Sequence, residues 1–242
     1  ETLDPKFAKT YKRAGKYATL RGNKHFWRSD FQVQRTPRYY FSVKMCSERV
    51  IGTETVNAEN IRGYYLGDGA TYLYQSGKEY EDIFPCWDWK KIPGTTTLQD
   101  DREFSKLAGW GRTQSSFVGG VSDGITGIAV MDYNHNGLSA KKAWFIFNDQ
   151  IVCLGAGINS ASRFPATTSV NQSFLNGRIV IKDKTEQIFP AGSSEALNPK
   201  WILHDHIGYF FPEGGTLKLE NKTVTGSWNL VALRYEDDPV ES

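Results

Sequence analysis

The chain has 242 residues, of which 39% are hydrophobic, 14% aromatic and 23% charged, and its formal net charge at pH 7 is +2. This length allows one sizeable hydrophobic core, and all-β proteins of this size often form a single domain. The small net charge, without a Lys/Arg-rich block, argues against nucleic-acid binding, and no apolar run is long enough to span a membrane. Recognition of an anion would therefore be local.

The first 22 residues differ from the rest of the chain. They contain the basic, mixed stretch "FAKTYKRAGKYATLRG", the first residue is Glu1 instead of an initiator Met, and we expect no signal peptide among them. We expect residues 1–22 to be a linker from a missing upstream domain, and residues 23–242 to form one β-sandwich domain. The chain would then be a mature protein, a proteolytic product or an excised piece.

From residue 26 onward, apolar and polar residues alternate with the period of half-buried strands. Gly, Asn, Asp and Pro interrupt these segments about every 8 to 12 residues, which is typical of β-sandwiches. The predicted strand segments are "FWRSDFQVQR", "YYFSVKMCSERV", "TYLYQ", "GIAVMDY", "KKAWFIFNDQIVCLGAGI", "GRIVIKD", "IGYFFP", "LKLENKTVTGSW" and "NLVALRYE".

Two short sequences predict hairpin turns between neighbouring strands. "FNDQIV" interrupts one long apolar segment, and "DYNHNGLS" contains an Asn-Gly pair that can supply positive φ. No helix-length stripe of apolar residues with convincing caps accompanies them. The sequence therefore predicts an all-β fold, a large antiparallel β-sandwich with two packed sheets.

The sequence gives little support for a metal site or for reactive thiols. The pair His204 and His206 would project to one face of a strand, but a third ligand at useful spacing is not apparent. We predict no metal site and no cofactor. The cysteines Cys46, Cys86 and Cys153 lie in apolar settings and are predicted to be buried free thiols, although one disulfide among them stays open.

Tryptophans provide candidate sugar-stacking surfaces. In "FPCWDWKKIPGTTT", residues 84–97, two tryptophans flank an aspartate, and they fit either an aromatic core or a platform for a sugar ring. Trp110 lies in the Gly-flanked stretch "LAGWGRT", which favours an exposed loop and a stacking role.

The most informative polar residues lie in "GTETVNAEN", residues 52–60. Glu54, Asn57 and Asn60 recur every three residues, which suits a loop better than a strand. Side-chain amides can bind a carboxylate or a sugar hydroxyl, and a fixed Glu can orient an Arg or Tyr. The alternative is a loop whose polar groups only hydrogen-bond one another.

Four stretches, in order, resemble polysaccharide lyase family 8, which contains chondroitin, hyaluronan and xanthan lyases. They are "SERVIGTETVNAENIRGYYLGDGATYLY", "FPCWDWKKIPGTTT", "SSFVGGVSDG" and "KKAWFIFNDQIVCLGAGI". The resemblance covers roughly residues 20–235 and is to the family's central β-sandwich domain.

This resemblance implies a function. Such enzymes consist of an N-terminal α/α toroid, a central sandwich and a smaller C-terminal β domain, and they cleave uronic-acid polysaccharides by β-elimination. Tyr, His, Arg and Asn of the toroid act on the substrate, and the sandwich contributes Glu54 and Asn57. The expected partners are an acidic polysaccharide (a glycosaminoglycan) and the missing toroid. Asn60 and Trp110 are predicted to contact substrate, and the whole protein to be secreted or periplasmic.

The resemblance also leads us to expect that the chain alone is inactive. Some chondroitin lyases of the family bind calcium near the segment 84–97. Here Asp88 keeps an acid, but Lys90 stands where a second carboxylate is expected, so we predict no calcium site. A carbohydrate-binding sandwich without catalysis, and a purely structural sandwich, remain alternatives at this point.

Overall fold

The computed structural model describes residues 9, 20–104, 113, 115–235 and 239–241. The predicted linker, residues 1–22, lies almost wholly outside the described residues, as does Trp110. The described part of the chain is rich in strands, and all of its strand pairs are antiparallel, which confirms the all-β fold.

Two four-stranded antiparallel sheets form the main sandwich. The first sheet has the order β1-β2-β3-β4 and the second β6-β7-β8-β9. Their strands are β1 (Gly22–Phe26), β2 (Phe31–Arg35), β3 (Tyr40–Lys44), β4 (Ala70–Tyr74), β6 (Val118–Ser122), β7 (Gly127–His135), β8 (Leu138–Ile146) and β9 (Ile151–Ser160).

Smaller sheets extend the structure. β5 pairs with β10, β13 with β16 and β17 with β18, while a third four-stranded sheet has the order β12-β11-β14-β15. Their bounds are β5 (Thr96–Leu98), β10 (Ala166–Thr168), β11 (Ile179–Lys182), β12 (Glu186–Phe189), β13 (Ser193–Leu197), β14 (Trp201–His204), β15 (Ile207–Phe210), β16 (Leu217–Asn221), β17 (Thr225–Ser227) and β18 (Pro239–Glu241). Short 3-10 helices are η1 (Gly63–Tyr65), η2 (Phe84–Cys86) and η3 (Trp228–Leu230).

The main core lies between the two large sheets. β7 and β8 alternate buried and more exposed residues along their length, so the predicted period of two is confirmed there. Val43 of β3 packs in one cluster with Met131 of β7 and Trp144 of β8, all almost fully buried. Burying an apolar side chain of this size stabilises the fold by about 1.5–3 kcal/mol, so this layer holds the sheets together.

The predicted hairpin at "DYNHNGLS" is confirmed. β7 and β8 are joined by Asn136 and Gly137 alone, with φ of 56° and 75°. Positive φ at both central residues matches the twist of the flanking strands, and Asn and Gly adopt it most easily. The turn at "FNDQIV" is also present between β8 and β9, where Phe147 N donates to Gln150 O.

Two strand predictions were wrong in part. "FWRSDFQVQR" contains the turn between β1 and β2, because Asp30 takes a left-handed φ of 46° and ends the extended run. "NLVALRYE" forms η3 and turns, within the described residues 229–235, where Val231 N and Ala232 N both donate to Trp228 O. Local helical hydrogen bonds replace the strand ladder there.

Candidate functional site

Left-handed backbone conformations shape the loop that carries the predicted site residues, residues 53–60. The φ angles of Asn57, Ala58 and Asn60 are 53°, 59° and 52°. Asn tolerates this region, whereas Ala rarely occupies it without support from surrounding structure. The segment is therefore a defined loop, as the three-residue spacing predicted, and it has a fixed shape.

The side chain of Asn60 helps to set that shape. Its Nδ2 donates to Thr53 Oγ1 at 2.9 Å and to Glu54 O at 3.0 Å, which closes the loop on itself. A Cβ on Gly63 would lie 1.9 Å from Asn60 Oδ1, so only glycine leaves room for this amide. Substrate binding by Asn60 stays a prediction, but its amide nitrogen already has two partners and the geometry favours a role in organising the loop.

A second set of contacts fixes the loop to the segment after η3. Leu233 N donates to Ala58 O at 2.9 Å, and Ile61 N donates to Val231 O at 3.0 Å. An ion pair of 2.5 Å joins Arg234 to Glu59. Residues about 170 positions apart in the sequence thus hold the loop from outside, which no local pattern could reveal.

Glu54 and Asn57 stand on this loop with their side chains in solvent. Both residues are exposed, and neither side chain has a hydrogen-bond or ion-pair partner among the described residues. A carboxylate and an amide three residues apart, on a loop that is held at several points, can approach a ligand without first breaking internal contacts. The structure does not describe Trp110, so its predicted stacking role stays a prediction.

A buried polar network supports the chain just after the loop. Tyr64 of η1 places its hydroxyl 3.1 Å from His135 Nε2, and His135 Nδ1 lies 3.0 Å from Asp68 Oδ2. Tyr133 also donates to Asp68, at 2.9 Å, and Asp68 is 1% exposed. Because a carboxylate only accepts, His135 Nδ1 donates to it, while the Tyr64 hydroxyl donates to Asn136 Oδ1 at 3.0 Å. The network fixes η1 against the β7–β8 hairpin.

This network leaves its phenols protonated. Burial, and then the Asp68 charge, raise the pKa of Tyr133, and burial also raises the pKa of Tyr64. Lys142 lies next to this network and donates to Asp68 O at 3.4 Å, and burial lowers the pKa of this lysine to about 8. The group therefore acts as a rigid support for the loop rather than as an exposed reactive centre.

Sequence reasoning overlooked Arg62, which directly precedes η1. It is half-buried and makes no hydrogen bond or ion pair with any described residue, and burial lowers its pKa. A partly desolvated guanidinium close in sequence to Glu54 and Asn57 is suited to bind a carboxylate. Its position in "NAENIRGYY", between the polar loop and the aromatic run, was the available signal.

The tryptophans of residues 84–97 belong to the core. Trp87 and Trp89 are each 4% exposed and pack with Tyr65, Tyr80 and Ile92. The core interpretation of this segment is therefore confirmed, and the alternative of a sugar platform is wrong for these two side chains.

Lys90 takes part in a compact internal cluster. Its ammonium donates to Asp100 Oδ1 and Arg102 O, both at 3.0 Å, and also to Asp100 O. Arg102 makes a further ion pair of 2.5 Å with the same carboxylate. Burial raises the pKa of Asp100, but the hydrogen bonds from Lys90 and Arg102 outweigh it and the pKa is lowered. The described residues contain no group of three or more His, Cys, Asp or Glu arranged to hold a metal ion.

The three cysteines differ in their exposure to solvent. Cys46 and Cys86 are buried free thiols as predicted, but Cys153 is exposed on β9, so the expectation of burial was wrong for it. β9 is an edge strand that is exposed along most of its length, which apolar neighbours in the sequence could not reveal.

His204 lies at the end of β14 and His206 in the following turn. None of the helices in the described residues is both long and apolar enough to cross a membrane.

Known proteins match this chain over most of its length. It is 42% identical over 218 residues to chondroitinase-AC of Pedobacter heparinus, covering 89% of this chain and 31% of that protein. It is 36% identical over 224 residues to xanthan lyase of Bacillus sp. strain GL1, covering 87% of this chain and 24% of that protein. The chain therefore spans less than a third of the length of these relatives.

Structural similarity agrees with the sequence. A solved chondroitinase AC lyase, from a study of its complexes with oligosaccharides, superposes with a TM-score of 0.85 at 35% identity, covering 98% of this chain and 36% of that one. Residues 21–241 match the family model described as polysaccharide lyase family 8, super-sandwich domain. With its two facing antiparallel sheets and this match across nearly the whole sequence, the chain belongs to polysaccharide lyase family 8.

Proposed function

We propose that this chain is the central sandwich of a polysaccharide lyase that cleaves uronic-acid polysaccharides of the chondroitin or hyaluronan type by β-elimination. It contributes one side of the substrate cleft through residues 53–62. The other side belongs to an α/α toroid domain of the same protein, which supplies the groups that move the proton. Residues 1–22 form the connection to that domain, and residues 23–242 form the sandwich domain.

The observation that carries the proposal is the state of Glu54. Its carboxylate is exposed and has no partner among the described residues, while the loop beneath it is fixed by backbone and side-chain hydrogen bonds. Ordering a loop costs conformational entropy, and here the ordered loop presents a charge that stabilises nothing inside the described domain. Such a group is suited to orient an Arg or Tyr of a neighbouring domain.

The chemistry explains why neutral and cationic groups are needed beside Glu54. Elimination removes the weakly acidic proton at C5 of the uronate, and the electron pair forms the C4–C5 double bond as the 4-linked sugar leaves. Charge spreads into the uronate carboxylate in the transition state, so hydrogen-bond donors at that group lower the barrier. The amide of Asn57 and the guanidinium of Arg62 are the donors that this chain offers.

The same proposal defines the partners and the compartment. The substrate is an acidic polysaccharide, and the partner is the toroid, because the described residues offer no exposed Tyr-His-Arg set on the loop that could remove the proton. Proton transfer needs a positioned base, so the chain alone is expected to be inactive. A polymeric substrate cannot cross a membrane, which favours secretion or a periplasmic location.

Turnover measured with and without the toroid tests the proposal. Unsaturated uronate absorbs in the ultraviolet, so its formation from chondroitin or hyaluronan can be followed for the 242-residue chain and for the protein in which a toroid precedes it. We expect product only from the longer protein. Turnover by the purified chain alone, or none by either protein, would contradict the proposal. Binding without turnover by both would favour the alternative, a carbohydrate-binding sandwich.

A further inference from the structure

A cleft of about 450 Å³ lies at one end of the first sheet, outside the loop that carries Glu54. Its lining comes from the start of β1, the end of β2, and the β2–β3, β6–β7 and β8–β9 turns. The lining residues are Arg21, Gly22, Gln34, Arg35, Thr36, Pro37, Arg38, Gly124, Ile125, Asn148 and Asp149.

The lining is strongly basic for a chain of almost balanced charge. Arg21, Arg35 and Arg38 are exposed on it, and Asp149 is its one carboxylate. Asp149 pairs with Arg38, whereas Arg21 and Arg35 have no hydrogen-bond or ion-pair partner among the described residues. The lining therefore carries a formal charge of +2 from three arginines and one aspartate, as large as that of the whole chain. Like charges placed together repel, and an anionic ligand would relieve this cost.

The floor of the cleft is preorganised. Gln34 is 1% exposed, its Nε2 donates to Ile125 O at 3.1 Å, and its Oε1 accepts from Asn23 at 2.8 Å. Thr36 Oγ1 accepts from the backbone N–H groups of Arg38 and Tyr39, both at 3.1 Å, and so holds the turn. The arginines thus project from a fixed backbone, which lowers the entropy cost of binding.

The strand register separates this cleft from the loop. Arg35 pairs with Gly22 and Tyr40 at one end of the sheet, while Phe31 pairs with Lys44 at the other. The chain leaves the sheet at Lys44 on its way to Glu54, so the cleft lies at the opposite end of β3. Four residue steps along an antiparallel strand correspond to about 14 Å.

We propose that this cleft is a second site for an acidic polysaccharide, which binds sugar carboxylate or sulfate groups through Arg21, Arg35 and Arg38. Planar guanidinium groups match both anions with paired hydrogen bonds. The volume suits a short sugar segment, and Pro37 and Ile125 offer apolar surface to its C–H faces. The site goes beyond the proposed function, because it binds polymer away from Glu54 and carries out no chemistry.

Fluorescence anisotropy with a labelled chondroitin sulfate octasaccharide tests this site on the 242-residue chain at low salt. Arg21→Ala/Arg35→Ala should lower affinity about tenfold or more, since two charge-assisted contacts are lost. Asp149→Asn should raise affinity about threefold, because it frees Arg38 and removes a repelling charge. Arg21 and Arg35 have no hydrogen-bond or ion-pair partner among the described residues, so the melting temperature of the double variant should equal that of the parent.

The matched control is Arg163→Ala/Lys184→Ala, which removes two exposed cations elsewhere on the surface. It should change affinity less than about twofold. Equal losses in the two double variants, no loss in the Arg21/Arg35 variant, or no binding by the parent would overturn the proposal. Failure of the lyase assay would leave these binding results standing, so the two proposals fail separately.

Discussion

Two polar regions of this domain use their charged groups in opposite ways. In the loop 53–60, Glu54 and Asn57 face solvent without partners among the described residues. In the Lys90 cluster, the Asp100 carboxylate accepts from both the Lys90 ammonium and the Arg102 guanidinium, and the Asp100 side chain is 5% exposed. The lysine side chain also lies 5.8 Å from the Phe104 ring centroid.

The difference separates structural from functional polar residues by a physical criterion. A buried charge must be paired, because leaving it unpaired costs several kcal/mol, so the Lys90 cluster is complete within the domain. An exposed charge on a fixed loop has no such requirement and is free for a partner. The comparison predicts stability effects at Lys90 and activity effects at Glu54.

Removing the ammonium of Lys90 should have the largest effect. Lys90→Met leaves Asp100 buried with Arg102 as its remaining cation, and we expect a loss of about 3 kcal/mol in unfolding free energy. Urea denaturation of the 242-residue chain measures it. The matched control Lys91→Met breaks an exposed pair with Asp88 and should cost less than about 1 kcal/mol. Equal losses of stability in the two variants would contradict the distinction between the buried Lys90 cluster and exposed charges.

Glu54→Gln should act on turnover instead. In the lyase that contains a toroid, we expect kcat to fall about 10- to 100-fold, as for outer partners that orient catalytic groups. The melting temperature should stay within a few degrees of the parent, because Glu54 has no partner to lose among the residues that the structure describes. Glu213→Gln, at another exposed carboxylate, is the control and should leave kcat unchanged. An unaltered kcat in Glu54→Gln would show that the loop is only structural.

Asn57→Ala should affect binding more than the chemical step. Losing one hydrogen bond to the substrate carboxylate would raise KM about fivefold, with a smaller change in kcat. The positive φ of Asn57 makes Asn57→Gly a useful second variant, because glycine keeps the backbone conformation and removes the same amide. A fall in kcat equal to that of Glu54→Gln in both variants would contradict a binding role.

The pH dependence of stability should reveal the Lys90 cluster. The pKa of Asp100 is lower in the folded chain, so its contribution is present above the unfolded pKa and is lost as pH falls through the folded pKa. The difference in unfolding free energy between parent and Lys90→Met should therefore shrink in acid, by about 1.4 kcal/mol for each unit of pKa difference. A difference that stays constant down to the acid transition would argue against this cluster.

Calcium should have the smallest effect. Lys90 places a cation among the oxygens of Asp100 and Arg102, so we expect no change in melting temperature at millimolar calcium. A bound ion would instead stabilise the fold by about 2.7 kcal/mol at roughly 100 times its dissociation constant. An increase in melting temperature that a chelator reverses would show that the segment around Lys90 binds calcium despite the lysine.

Much of the fold was predictable from local pattern. Alternation along β7 and β8, and the Asn136–Gly137 turn between them, follow from preferences that act over a few residues. The same reasoning failed at residues 26–35, where a turn lies inside an alternating segment, and at residues 229–235, where short-range helical hydrogen bonds formed instead of a strand. Alternation gives side-chain direction only if the backbone is already extended.

The candidate site was predictable only in part. The spacing of Glu54 and Asn57 indicated a loop, and the resemblance to a lyase family indicated their roles. The role of Asn60 in closing the loop, and the partial burial of Arg62, could be read only from the three-dimensional structure. Exposure of Cys153 depended on which strand lies at the edge of the sheet.

By itself, the sequence determined the all-β class, the turn at Asn136–Gly137 and the family motifs, because these depend on neighbouring residues. Only the tertiary structure decided that Trp87 is core, that Lys90 pairs with Asp100, and that His135 bonds to Asp68, 67 residues away. Burial and charge pairing are properties of groups that folding brings together, and the free energy of each depends on its final neighbours rather than on its place in the chain.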